Sequence, residues 1–300
     1  MSLNVCILTP NPADPAFDGR WSEVRDRMTA PLEALGVRVA SRSWIEDPEG
    51  LQGFDLVLPL VTWGYHRDYD LWCAMTDAWG SLKLPFGNSP DVLRWNADKG
   101  YLGRLKSKGA PVVPTLYVDR VADIDLESAA SALAAETLIV KPQVSASAYR
   151  TLRVKPGDEL VDPPEGRAMV QPYLAHVEDE GELSLIYIAG RFSHAIRKVA
   201  KAGDFRVQPE WGGQISAYQP EDDVFRAAED VLKAAGEPLF YARVDMVRDD
   251  GGAPLLMELE LIEPDLYLGF DPERGAGFAR AVRDFAGGRG RAVFGDGPSA

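Results

Sequence analysis

Cysteine and histidine are scarce in this 300-residue chain. Cys6 and Cys73 stand far apart and in no metal-type spacing, so neither a disulfide framework nor a thiolate metal site is expected. The three histidines, at 66, 176 and 194, are too scattered for a zinc or haem site. Long apolar runs are absent as well. The opening MSLNVCILTP has no basic region and too short an apolar stretch for a signal peptide, and nothing later approaches a membrane span. A cytoplasmic location is the expectation. No consecutive run of Lys and Arg exceeds a pair, and the net charge is −14 with a pI near 4.7. Such a chain repels nucleic acid and anionic membrane, which removes both as partners. No GxxxxGK[ST] occurs, so a Walker loop is excluded too.

What remains is ample core material, 46% hydrophobic residues, in a chain long enough for two or three subdomains. The first ninety residues read as α/β. Strands at 3–9, 37–40 and 54–60 alternate with helices at 21–35 and 68–79, the first helix stopped by Gly36 despite Pro31. A helix capped by Asn96 or Asp98 runs to Lys108, then a strand at 111–118 and an alanine-rich helix at 125–136. From 137 strand follows strand: 137–142, 149–154, 168–173, 182–188 and 192–199, an antiparallel middle. A helix at 222–235 leads to strands at 239–247 and 254–261 about the turn DDGG. A last helix covers 273–285, and the tail from 287 on is expected to be loosely ordered.

The sharpest chemistry is in ARVDMVRDDGGAPLLMELELIEP. Glu258 and Glu260 share one face of a strand by two-residue spacing, and the hairpin can bring Asp245 beside them. Three clustered carboxylates repel unless a cation separates them, and Mg²⁺, which joins one or two carboxylates to phosphates, suits that place. An edge hairpin with acids in water is the plain alternative. In VKPQVSASAYRTLRV, Lys141 ends a strand before a loop of small residues whose N–H groups can approach phosphate, although a hairpin turn reads the same way. Gln171-Pro172-Tyr173-Leu174, followed by Glu182, can offer main chain to adenine and a carboxylate to ribose. Arg197, Lys198, Lys201 and Arg206 concentrate positive charge where triphosphate needs it, or line a solvated strand.

In this order these pieces resemble the ATP-grasp superfamily, most closely its prokaryotic glutathione synthetase-like branch. The resemblance covers roughly residues 90–268; before that only the α/β character matches. It implies an N-terminal parallel α/β domain (1–92), a central ATP-binding subdomain (93–174) and a C-terminal catalytic subdomain (175–300), the last two antiparallel α+β units sandwiching ATP. It assigns Lys99 and Lys141 to nucleotide binding and Ser145, Ser147 and Ala148 to a phosphate-covering loop. Gln171, Tyr173 and Leu174 become the adenine hinge, and Glu182 the ribose contact. Arg197 and Arg206 become phosphate- and intermediate-binding residues, with Lys141 beside Arg206 stabilising the transferring group. Asp245, Glu258 and Glu260 become ligands of Mg²⁺, with two ions expected.

Two departures stand out: Glu260 where many relatives have asparagine, and SASA where the loop is usually glycine-rich. That variant, with the ELELIEPDLYL ending, is similar to the D-cycloserine synthetase group, the O-ureido-serine cyclo-ligases. The activity implied is ATP-dependent carbon–nitrogen ligation through an acyl phosphate on a small amino-acid-like substrate. Trp63, Tyr65 and His66 follow a strand end and can line the acceptor pocket, or pack and face solvent. Glu263 or Asp265 can receive an amino group, and Arg197 or Lys198 a carboxylate. A peptide-tail ligase and a non-catalytic ATP-binding module stay open, as does the homodimer common among such enzymes.

Overall fold

The computed structural model describes residues 2–17, 20–146, 148–201 and 212–289. It builds three sheets. The first is parallel, in the order β2 (Arg38–Ser43), β1 (Asn4–Thr9), β3 (Leu56–Leu58). Helices α1 (Arg20–Glu33) and α2 (Tyr69–Ser81) connect and cover it. Pro31 lies inside α1, two residues before its end, where it forgoes one helical hydrogen bond, and the chain then reverses through Gly36 at φ 75°, a conformation costly for any residue with a Cβ. Asp68 caps α2 through the Leu71 N–H, and Trp72 and Trp79 lie edge to face in the core at 5.6 Å.

Asn96 ends one helix rather than capping the next. α3 (Pro90–Asn96) is capped by Ser89 with Pro90 in its first turn, and α4 (Tyr101–Ser107) follows a turn in which Asp98 accepts the Gly100 N–H at 2.8 Å. The expected strand at 111–118 shrinks to β4 (Leu116–Val118). Pro111 to Val113 serves another purpose described below. After α5 (Leu126–Leu133) come β5 (Leu138–Pro142), β6 (Leu152–Val154) and β7 (Ala168–Pro172). These form an antiparallel sheet in the order β4-β7-β5-β6 with its own core, Ala129 and Ala130 against Leu138, Val140, Val154 and Val170.

The short α6 (His176–Asp179), not foreseen, precedes β8 (Glu182–Ile188) and β9 (Arg191–Val199). Then follow β10 (Gln214–Tyr218), also unforeseen, α7 (Asp222–Ala235), β11 (Tyr241–Arg248), β12 (Pro254–Glu260) and α8 (Ala276–Ala286). The five strands make an antiparallel sheet, β10-β9-β8-β11-β12. The apolar stripe of α7 (Val224, Ala228, Val231, Leu232) packs on one face of it, together with α3 and α4. α8 returns to the start of the molecule: Phe278, Ala279 and Val282 share a core with Val5, Ile7, Leu56 and Leu58 and with Ile186 and Ile196 of the large sheet. The architecture is the expected one, a parallel α/β unit followed by two antiparallel α+β units. Among the described residues no helix is long and apolar enough to cross a membrane. Most of the tail expected to be loose, from residue 290, lies outside the described residues.

Candidate active site

Strand alternation sorts the large sheet into an apolar face and a charged one. Glu182 pairs with Lys198, Asp245 with Ser184, Glu258 with Asp245 and Glu260 with Arg243, so all these side chains share the face opposite α7. The solvated-hairpin alternative fails at Asp245, which is 2% exposed. Its Oδ1 accepts the Ser184 hydroxyl at 2.6 Å and the Arg243 Nε at 3.0 Å, and Lys198 Nζ lies 3.6 Å from Oδ2. Lys198 also pairs with Glu182, and Arg243 with Glu260, while Arg243 Nη1 donates to the Asp265 carbonyl at 3.3 Å. Gly181 allows this close start of β8: a Cβ there would sit 2.2 Å from the Lys198 carbonyl oxygen.

The turn between α3 and α4 and the end of β5 supply the opposing charges. Lys99 is buried; its Nζ donates to the Ser145 carbonyl at 2.6 Å and pairs with Glu258 at 3.1 Å. Lys141, at the end of β5, has no hydrogen bond or ion pair among the described residues, but Glu258, Glu182 and Lys99 are within its field. Burial lowers its ammonium to about 8, against the pull of Glu258. Burial alone would raise the Asp245 carboxyl; Arg243 and Lys198 outweigh it and hold it near about 2. Glu260 goes the other way, raised to about 7 by burial, with Asp245 and Glu258 adding to the rise against Arg243. The fixed cations therefore leave the acid face short of positive charge at Glu260. Mg²⁺ needs only one or two carboxylates beside phosphate oxygens, and this oxygen-only set fits it. Among the described residues no three His, Cys, Asp or Glu side chains are gathered into a cage by themselves.

The remaining expected residues divide. Ser145 is buried with its hydroxyl 3.4 Å from the Pro142 carbonyl, and Ala148 takes a left-handed φ of 56°, a conformation that favours glycine. Ser147 and Arg206 lie outside the described residues, as does the whole segment 202–211 after Lys201. At the hinge, the Gln171 amide is spent on Thr115 Oγ1 at 2.9 Å. The Tyr173 N–H donates to the Thr137 carbonyl at 2.9 Å, and Arg153 lies 3.7 Å above its ring. The Leu174 carbonyl accepts the Val177 N–H at 3.1 Å.

Several assignments need correction. Arg197 is exposed and points from β9 to the side opposite its neighbour Lys198, so it does not join the acid face. Lys198 and Glu182 are paired with each other inside the sheet rather than held ready for substrate and ribose. Tyr65 is a packing residue, 5.0 Å from Trp72. The Trp63 carbonyl accepts the Trp44 indole N–H at 3.3 Å, and its ring lies 6.1 Å from Phe17.

His66 is not a surface residue. It lines a cavity of about 380 Å³ with Val144, Tyr149, Arg150 and Glu165 from the facing loops, and burial with Lys99 and Arg67 lowers its imidazole to about 4. Glu263 carries a buried Oε2 without a partner, and burial and Glu260 push its carboxyl well above the usual range.

Sequence reasoning missed Arg243, although it stands two residues before Asp245 and strand alternation puts both on one face. It also missed the support of β12. The Asn88 amide donates to the Tyr241 and Leu261 carbonyls at 3.0 and 2.8 Å. Asn96 donates to Leu259 C=O at 2.8 Å and accepts from Leu261 N–H at 2.9 Å. The Tyr101 hydroxyl bonds both polar groups of Leu259, and Pro111 and Val113 pair with Leu256. The outer edge of the strand bearing Glu258 and Glu260 is thereby closed.

Comparison with known proteins decides the family. The model of the D-cycloserine synthetase DcsG N-terminal domain matches residues 5–88. The cycloserine biosynthesis protein DcsG of Streptomyces lavendulae is 31% identical over 222 residues, 64% of this chain and 71% of that protein. The chain belongs to the DcsG family of ATP-grasp ligases. The solved D-cycloserine synthetase DcsG superposes with a TM-score of 0.79 at 23% identity over 94% of this chain and 99% of that one. The Bacillus anthracis D-alanine–D-alanine ligase complexed with ATP gives 0.72 at 16% identity over 96% and 99%. The N-terminal ninety residues, which resembled the superfamily only in their α/β alternation, carry the family match. As a DcsG-family ATP-grasp ligase the chain is an ATP-dependent, carbon–nitrogen bond-forming enzyme.

Proposed function

We propose that this ligase phosphorylates the carboxylate of a small amino-acid-like substrate and closes the acyl phosphate onto a nitrogen, a cyclo-ligation of the kind the DcsG name denotes. The observation that carries it is the charged face of the large sheet, Asp245, Arg243, Glu258 and Glu260, set against Lys99 and Lys141 at the end of β5 and its loop. The neighbouring cavity of about 380 Å³ beside His66 is of a size that a small molecule fills.

ATP lies between the two antiparallel sheets, its adenine against the main chain of residues 171–174. Lys99 and Lys141 hold its phosphates, under the loop at 145–148. Asp245, Glu258 and Glu260 would hold Mg²⁺, which when bound offsets phosphate charge and polarises the γ-phosphoryl group. The substrate carboxylate attacks the γ-phosphorus and ADP departs. The nitrogen then attacks the acyl carbon, loses its proton, and inorganic phosphate leaves. Arg243 is given the task of offsetting charge that builds on the transferring group, and Arg206 is assigned the same duty. Residues 1–92, 93–174 and 175–300 are the working divisions, with α8 returning to the first, and the enzyme acts in the cytoplasm.

The test is ADP release from Mg·ATP across small amino acids and dipeptides, including O-ureido-D-serine, in wild type and Glu258→Gln. Release that depends on one compound and vanishes in the variant is expected. Failure to bind ATP overturns the reading.

A further inference from the structure

Among the buried side-chain atoms of the described residues that lack a hydrogen-bond partner, one is a carboxylate oxygen, Oε2 of Glu263. A carboxyl oxygen kept from water without a partner is unfavourable as a charge: alone the group keeps its proton, and a cation brought beside it completes it as a carboxylate. Three of the site's cations are committed elsewhere: Arg243 to Asp245 and Glu260, Lys99 to Glu258, Lys198 to Glu182 and Asp245. Lys141, which pairs with none of these acids, is not among the charges that act on Glu263. Glu263 lies beyond the end of β12, off the row of acids that faces Mg²⁺. Asp265, two residues on, is spent on its own segment: Oδ1 accepts the Tyr267 N–H at 2.8 Å and Oδ2 faces Arg27 at 3.5 Å.

The segment is also held in a strained shape. Tyr267 adopts φ 47°, which a bulky side chain avoids, with its ring 5.5 Å from the Arg243 guanidinium and 5.7 Å from Lys198 Nζ. His194 Nε2 lies 3.0 and 3.2 Å from the carbonyl oxygens of Leu266 and Tyr267 and anchors them. The turn just past Glu263 is thus held by Arg243, Lys198 and His194, beyond the end of the strand that carries the acid face.

We propose that Glu263 is the amine-recognition residue of this enzyme: its free oxygen receives the α-ammonium of the amino acid whose carboxylate is phosphorylated. The assignment rests on the ligase reading above. An amino acid is thereby gripped at a group that takes no part in the reaction, and its deaminated analogue leaves the buried acid unpaired.

The test is calorimetric titration of the full chain loaded with Mg²⁺ and a non-hydrolysable ATP analogue. The probes are O-ureido-D-serine, D-serine and D-alanine, with D-lactate as the deaminated counterpart. At least one amino acid should bind wild type, Glu263→Gln should weaken it about 30-fold or more, and D-lactate should bind wild type no better than the amino acid binds that variant. Nucleotide affinity within about threefold of wild type shows that the variant is folded. Asp265→Asn should keep the amino-acid response. The proposal is overturned if Glu263→Gln binds the amino acid as wild type does, if Asp265→Asn alone loses it, or if no amino acid binds a wild type that does bind nucleotide. Absence of nucleotide binding would instead overturn the ligase reading itself.

Discussion

Replacing Lys198 by methionine keeps the length of the side chain and deletes one buried charge between two buried acids. Asp245 retains Arg243 and Ser184, but Glu182, 6% exposed, has no other partner among the described residues. The loss therefore falls mainly on Glu182. A unit charge pair near 4 Å is worth about 4 kcal/mol at an effective dielectric of about 20, in line with the ~3–5 kcal/mol measured when one partner of a buried pair is removed. Lys198→Met should lower the free energy of urea unfolding, followed by tryptophan fluorescence at neutral pH, by about 3–5 kcal/mol.

Adding Glu182→Gln removes the stranded charge and should recover most of that loss, leaving the double variant within ~1.5 kcal/mol of wild type. The single variant should also suffer less in mild acid. Burial already raises the Glu182 carboxyl. Without Lys198 it rises further, so protonation as the pH falls restores stability. A single variant within ~1 kcal/mol of wild type, or a double variant no better than the single, would refute the reasoning.

Three further outcomes follow from the site. Lys141 sits near about 8, so its positive charge is present below that pH and lost above it. ATP affinity by equilibrium titration should fall as pH rises through 8, and Lys141→Arg should flatten that profile. His66 is depressed from 6.5 to about 4, so its contribution is present above 6.5 and lost as pH falls toward 4. His66→Asn should flatten unfolding stability across that window, removing up to ~3 kcal/mol of pH dependence at ~1.36 kcal/mol per unit. Asn96→Ala orphans the buried Leu261 N–H and leaves the Leu259 carbonyl to the Tyr101 hydroxyl alone; it should cost about 1–3 kcal/mol, with kcat falling because Glu258 and Glu260 ride on that strand. Thermal unfolding unchanged from wild type would contradict it.

The parallel start, the antiparallel middle and the last hairpin were legible because each rests on local periodicity and turn chemistry. So was the meeting of Asp245 with Glu258 and Glu260, which needs only two-residue spacing and one hairpin. Arg197 and Lys198 were indistinguishable for the opposite reason. Adjacent strand residues face opposite ways, and the parity that selects Lys198 is set by its pairing with Glu182 across the sheet. The clasp of β12 by Asn88, Asn96 and Tyr101 joins groups more than 150 residues apart and leaves no periodic trace. Ser89-Pro90 did carry a local helix-start signal, which the longer apolar pattern after it obscured. The orphaned oxygen of Glu263 is visible only once its neighbours have chosen other partners.

The return of α8 to the first sheet has a mechanical consequence. One continuous apolar body joins β1, β3 and α1 to the large sheet, while the four-stranded sheet keeps a small core of its own. The four-stranded sheet is thus the part least tied to the rest, and any shift of it would reshape the cavity whose walls are His66 on one side and Val144, Tyr149 and Arg150 on the other, while Asp245 and Arg243 belong to the larger body.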